Sequence, residues 1–78
     1  MSRLRELRKE LGYTQVKIQM LTGIDQSDYS KLENGARNMT FEQCRRLAVV
    51  LQTSMDYLAG LTDTKKPYPE AKQIRMKR

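Results

Sequence analysis

One short stretch of the chain carries hydrogen-bonding side chains at helical spacing. These are an amide, two hydroxyls and an ammonium group, at Gln26, Ser27, Ser30 and Lys31. A glutamine can pair with adenine at N6 and N7, a serine can pair with several bases, and a lysine can donate to guanine or to phosphate. At about 100° per residue, the four side chains share one side of a helix. The stretch therefore predicts a polar face suited to the edges of base pairs.

The same stretch also contains the side chains that would hold such a helix in place. Tyr29 and Leu32 fall together on another side, and their burial would leave the polar face directed outward. Asp25 is an N-cap residue type, so we expect a helix over residues 26–34, whose first N–H groups would suit a phosphate. Asp28 adds a second negative charge near a duplex, and we interpret both carboxylates as partners of the first helical turn.

A second short helix is expected directly before the first. Thr14 can cap a helix over residues 15–22, and Gly23 can turn the chain sharply because glycine takes positive φ without steric cost. Its expected inward side carries Ile18, Leu21 and Thr22. The two segments together have the layout of a DNA-reading helix held against a support helix.

Three further segments complete an all-α architecture. Apolar residues at helical spacing predict helices over residues 2–11 and 41–51, and a shorter one over residues 55–59. Thr40 and Gln43 match the capping-box pattern at the start of the second of these. The expected apolar face of that helix comprises Phe41, Cys44, Leu47, Ala48 and Leu51. We therefore expect a compact bundle of five helices.

The formal net charge of +6 is unevenly distributed along the chain. Residues 1–64 carry nine Lys or Arg and eight Asp or Glu, whereas residues 65–78 carry six Lys or Arg and one Glu. We expect a helical domain over residues 1–62 and a flexible, basic, proline-containing tail over residues 63–78. Such a tail is either a solvated end or a non-specific DNA arm. A nucleic-acid interface must therefore depend on where the folded part places its few cations.

Cysteine and histidine usage excludes several classes of function. The chain has one cysteine and no histidine, which argues against an internal disulfide framework and a Cys/His zinc cluster. Cys44 lies on an expected buried face, and no histidine is present to activate it. We therefore expect no enzyme activity, no metal and no cofactor. In the absence of a signal-peptide pattern or an apolar run of membrane length, we expect cytoplasmic residence, at the nucleoid when DNA is bound.

Two groups of apolar side chains have no evident place in the core. Val16 and Met20 form an i,i+4 pair on the side of their helix where polar residues are usual. They are either scattered surface residues or a small patch for a protein partner. Near the end of the helical domain, Met55 and Leu61 could be buried by a second copy of the chain, and Leu58, which we also expect to pack on the core, could join them.

Several short pieces, in their order and spacing, resemble the Cro and phage-repressor-type helix-turn-helix family, also called XRE-like. The resemblance covers residues 2–61. The pieces are Gly12-Tyr13-Thr14-Gln15, Gly23-Ile24-Asp25-Gln26-Ser27, Lys31-Leu32-Glu33-Asn34-Gly35 and Ser54-Met55-Asp56-Tyr57-Leu58. The resemblance implies a lambda-repressor-like fold that binds double-stranded DNA.

The resemblance also implies roles for individual residues. Gln26 and Ser27 match the leading base-contacting positions, and Lys31 matches a position that can reach a base or the backbone. Arg8 matches an arginine that forms a structural ion pair with the glutamate at Glu33. The candidates for contact with the DNA backbone are Thr14, Gln15, Arg37 and Asn38.

Two positions depart from the family pattern. Gln19 stands where the family usually has alanine, so we expect its side chain to point between the two helices or to tilt them. Gln52 stands where many relatives have glycine, at the expected end of the fourth helix.

Two functions are consistent with this pattern. The leading hypothesis is a sequence-specific transcription regulator, a repressor that binds a palindromic operator as a homodimer. The alternative is a protein-interaction module or antitoxin that uses the same fold, with Val16 and Met20 as its contact.

Overall fold

The computed structural model describes residues 2–67, which form five α-helices. They are α1 (Arg3–Glu10), α2 (Gln15–Thr22), α3 (Gln26–Glu33), α4 (Phe41–Val50) and α5 (Met55–Ala59). No strand is present in this part of the chain. The all-α, five-helix architecture predicted from the sequence is confirmed.

Each helix begins at a residue whose side-chain oxygen accepts from a main-chain N–H in the first turn. The five N-caps are Ser2, Thr14, Asp25, Thr40 and Ser54. Thr40 and Gln43 form the complete capping box. Gly23 ends α2 with a φ of 79°, a left-handed conformation that is strained for residues with a Cβ atom. Because each cap is worth about 1 kcal/mol, local chemistry sets most of the helix boundaries.

The core lies where α2, α3 and α4 meet. In the described residues, α1 packs on α3, α2 packs on both α3 and α4, and α5 packs on α4. The largest side chains that are fully buried come from this junction and the end of α4: Ile18, Tyr29, Leu47 and Leu51. Tyr29 and Leu32 are buried, as expected, so α3 is held to the rest of the domain along one side.

Two residues expected on inward faces are exposed. Leu21 is 45% exposed, because α2 is rotated so that Thr22 faces the core. The buried hydroxyl of Thr22 donates to the Ile18 carbonyl at 2.7 Å and accepts from the Ile24 N–H at 3.1 Å, which fixes the turn after α2. Phe41 is 73% exposed, because it opens the first turn of α4 and lies at the rim of a shallow groove between α4 and α5.

Gln52 adopts a left-handed conformation directly after α4, with a φ of 57°. We expect Gln52→Gly to raise the free energy of unfolding by about 0.5–1 kcal/mol, because relief of the left-handed strain exceeds the added freedom of the unfolded chain. Urea denaturation measures this change. Gln52→Ala is the matched control and should give no gain, since alanine is strained at the same φ. An equal gain in both variants would contradict the prediction.

The chain after α5 returns along α1. Arg3 donates to the carbonyls of Tyr57 and Thr62 at 2.7 Å each, and it also pairs with Asp63. The Lys65 ammonium pairs with Glu10 at 2.9 Å. The predicted boundary at residue 62 therefore falls inside a segment that contacts the helices. The rest of the predicted tail, residues 68–78, lies outside the described residues.

Candidate nucleic-acid interface

The four base-reading candidates all lie on α3. Gln26, Ser27 and Lys31 are exposed, whereas Ser30 is half-buried. Tyr29, in the middle of the same helix, has no exposed surface. The helix therefore presents an amide, a hydroxyl and an ammonium group to solvent while its opposite side is anchored in the core.

A buried carboxylate ties the end of α3 to α1 and α2. The side chain of Glu33 has no exposed surface and forms an ion pair with Arg8, which is 13% exposed. Arg8 also donates to the Tyr13 carbonyl at 2.9 Å, and Gln15 donates to Glu33 Oε1 at 3.2 Å. Arg5 is half exposed and approaches the same carboxylate at 3.4 Å. Three side chains thus converge on one acceptor and fix the angle of α3.

The charge state of this cluster follows from its contacts. Burial alone would raise the pKa of Glu33, but the hydrogen bonds from Arg8 and Gln15 outweigh it, and the pKa is lowered. Burial, followed by the neighbouring Glu33, raises the pKa of Tyr29. The buried Tyr29 hydroxyl lies near Glu33 but has no hydrogen-bond partner of normal geometry among the described residues. Glu33 is therefore charged and Tyr29 neutral at pH 7.

The N-terminus of α3 differs from the expectation of free N–H groups that suit a phosphate. The Ser27 N–H donates to Asp25 Oδ2 at 3.0 Å, and the Gln26 N–H donates to Gln19 Oε1 at 2.7 Å. Two of the N–H groups that were expected to be free for a phosphate are therefore already bonded to side chains. The Ser27 hydroxyl also donates to Asp25, so its exposed oxygen is left as a hydrogen-bond acceptor. These hydrogen bonds from Ser27 lower the pKa of Asp25.

Gln19 also differs from its expected position. Its side chain is exposed and bridges α2 and α3 at the surface, instead of pointing between the helices. The departure from alanine was visible in the sequence. The acceptor role was not, because it depends on how close the two helix ends approach.

The loop after α3 carries two of the four candidates for contact with the DNA backbone. Arg37 and Asn38 are both exposed, and Arg37 Nη1 pairs with Asp28 Oδ1 at 3.1 Å. A phosphate must therefore compete with Asp28 for the Arg37 guanidinium, although an exposed ion pair of this kind is worth at most about 1 kcal/mol.

Thr14, at the start of α2, caps that helix by accepting from the Lys17 N–H at 3.0 Å.

The apolar candidates are divided between surface and core. Val16 is 50% exposed and Met20 is 72% exposed, so this pair lies open on α2. Leu61 is 77% exposed and Met55 is half-buried. Leu58 is only 9% exposed and packs on the core, although it also lines the groove between α4 and α5 beside Met55.

Comparisons with known proteins agree with this geometry. A family model described as helix-turn-helix matches residues 4–58, and the chain therefore belongs to the helix-turn-helix family, a class of DNA-binding proteins. The chain is 33% identical over 73 residues to YobD of Bacillus subtilis (strain 168), described as an uncharacterized HTH-type transcriptional regulator. The match covers 94% of this chain and 65% of that protein. No solved structure matches the chain.

No helix among residues 2–67 has the length and apolar character that crossing a bilayer requires.

Proposed function

We propose that this chain is a sequence-specific transcription regulator that binds double-stranded DNA through the exposed side of α3. The supporting observation is that Gln26, Ser27 and Lys31 are exposed on a helix whose Tyr29 is completely buried. A helix anchored in this way can enter the major groove with its side chains directed at base edges. Binding at an operator needs no catalytic residue, because the bound protein obstructs polymerase.

The chemistry of each side chain suggests what it reads. The Gln26 amide has a donor and an acceptor, which suits adenine. The Ser27 hydroxyl donates to Asp25, so its oxygen suits a base amino group. Lys31 can donate to guanine or to a phosphate. Ser30 is half-buried and reaches DNA less readily than these three.

Contacts with the DNA backbone would set the register of α3 in the groove. We assign these to Thr14 and Gln15 at the start of α2, and to Arg37 and Asn38 in the loop after α3. Gln15 already donates to Glu33, which leaves a second amide hydrogen for a phosphate. Such contacts supply affinity without reading sequence.

Arg37 offers a test of the backbone assignment. Arg37→Ala should weaken binding to all sequences equally and reduce the slope of log K against log salt by about 1, because one phosphate contact is lost. Asp28→Asn is a matched variant with the opposite expected effect. It removes the carboxylate that pairs with the Arg37 guanidinium and should strengthen binding to all sequences. Fluorescence anisotropy at several salt concentrations measures both effects. A loss in Arg37→Ala that depends on base sequence would contradict the assignment.

We propose further that the protein acts as a homodimeric repressor on a palindromic operator, in the cytoplasm and at the nucleoid. The exposed Leu61 and half-buried Met55 support a contact with a second copy near α5. Two copies would place their reading helices about 34 Å apart, one turn of DNA. Sedimentation of the free and DNA-bound protein tests the dimer, and a complex with one copy per site would exclude it.

The proposed function is tested by selecting bound fragments from a random DNA pool. A preferred sequence with two inverted half-sites, about ten base pairs apart from centre to centre, is the expected result. A pool that shows no enrichment at physiological salt would overturn sequence-specific binding.

A protein-interaction module or antitoxin is the second candidate. The exposure of Val16 and Met20 on α2 favours it, since apolar pairs at helical spacing can contact a partner helix. A gel shift with genomic DNA fragments separates the two candidates. Failure to shift any fragment preferentially would favour the protein partner.

A further inference from the structure

The side chain of Gln19 makes a specific contact that none of the assigned roles uses. It extends from α2 across the turn, and its amide oxygen accepts from the Gln26 N–H at 2.7 Å. Because a main-chain N–H can only donate, the amide oxygen must face it. The contact therefore has one orientation, and it joins the support helix to the first residue of α3.

This contact supplies one of the hydrogen-bond partners needed at the start of α3. The first N–H groups of a helix have no partner within the helix. Asp25 accepts from the Ser27 N–H, and Gln19 accepts from the Gln26 N–H. The main chain of Gln26 is thus fixed relative to α2 by a side chain, in addition to the turn itself.

We propose that Gln19 is a positioning residue that determines sequence specificity through Gln26. The proposal rests on the function proposed above. A glutamine that pairs with adenine through two hydrogen bonds must be placed to within about 0.5 Å. Gln19 restricts the main chain from which that side chain extends. Gln19 also accepts from an N–H that could otherwise donate to a phosphate, and so prevents α3 from binding the DNA backbone in an alternative position.

The test measures base preference at every position of the selected site. Gln19→Ala should reduce discrimination between bases about three- to tenfold at the base pair read by Gln26, and leave base preference at the other positions unchanged. This loss is a part of the discrimination that one bidentate contact supplies. Gln19→Glu keeps an acceptor for the N–H. It should restore that discrimination, while its negative charge weakens binding to all sequences.

Gln43 provides a matched control. Its amide oxygen also accepts from a main-chain N–H at a helix start, that of Thr40 at 3.0 Å, but α4 carries none of the base-reading candidates. Gln43→Ala should lose stability without changing any base preference. In a Gln26→Ala background, Gln19→Ala should cause no further loss of discrimination.

Two results would overturn the role of Gln19: parental preferences at every base pair in Gln19→Ala, or a loss spread evenly over the site. An even loss is what a purely structural role produces. If the parent protein itself selects no preferred sequence, the proposed function fails instead, and the two failures are therefore distinguishable.

Discussion

Replacing Arg8 with methionine is expected to lower the free energy of unfolding by about 3–5 kcal/mol, because it leaves the Glu33 carboxylate buried without its main partner. The Glu33 side chain has no exposed surface and Arg8 is 13% exposed, so the carboxylate is shielded from the water that would otherwise compensate for the lost hydrogen bonds. A domain of this size has limited stability to lose. We expect the variant to be largely unfolded in urea concentrations at which the parent is native.

Two variants give this prediction its controls. Arg5→Ala removes the half-exposed cation 3.4 Å from the same carboxylate and should cost less than about 1 kcal/mol. Arg8→Met combined with Glu33→Leu removes both charges and should recover most of the loss, since apolar groups of similar volume can replace a buried pair. If Arg8→Met is no more destabilising than Arg5→Ala, the cluster does not hold α3.

The same cluster has an expected pH signature. The pKa of Glu33 is lowered from its ordinary value of 4.5, so its contribution to stability is complete above that value and is lost as the pH falls through the lower, folded-state pKa. Exposed hydrogen bonds from Arg45 and Arg46 also lower the pKa of Glu42, to about 2. Glu42 is present in both the parent and the Arg8→Met, Glu33→Leu double variant. The difference between their free energies of unfolding, measured by urea denaturation as the pH is lowered, therefore isolates the contribution of Glu33.

Gln26→Ala is expected to have the largest effect on recognition. It should cost about 1–3 kcal/mol at the preferred site and relax selection at one base pair in each half-site, because a bidentate contact is lost. The variant should keep the stability of the parent, since Gln26 is exposed and its main-chain N–H remains bonded to Gln19. Competition binding against single-base variants of the site measures the change.

Arg37→Ala is the contrast for this experiment, because it should weaken all sites equally. If Gln26→Ala selected the parental site with parental affinity, the assignment of base reading to α3 would be wrong.

Local chemistry made the helices and the buried side of α3 predictable. Thr40 and Asp25 accept from N–H groups within three positions of themselves in the sequence. Gly23 ends α2 in a left-handed conformation that glycine adopts without steric cost. The spacing of Tyr29 and Leu32 was enough to place them in the core. These features depend on residues close together in the sequence, and they required no knowledge of how the helices pack.

Features set by helix rotation were not predictable. Leu21 and Thr22 are neighbours that were both expected to face inward, and the structure buries only Thr22, whose hydroxyl bonds to the main chain of Ile18 and Ile24. The exposure of Phe41 was unexpected for a similar reason, since it depends on how α5 packs against the start of α4. The pairing of Arg37 with Asp28 likewise depends on the path of the loop after α3.

A structure of the protein bound to its selected DNA tests the role of α3 most directly. We predict that α3 lies in the major groove, with the Gln26 amide and the Ser27 hydroxyl within hydrogen-bonding distance of base edges and Arg37 beside a phosphate. A complex in which α3 faces away from the bases, with the duplex held by another surface, would contradict the central claim.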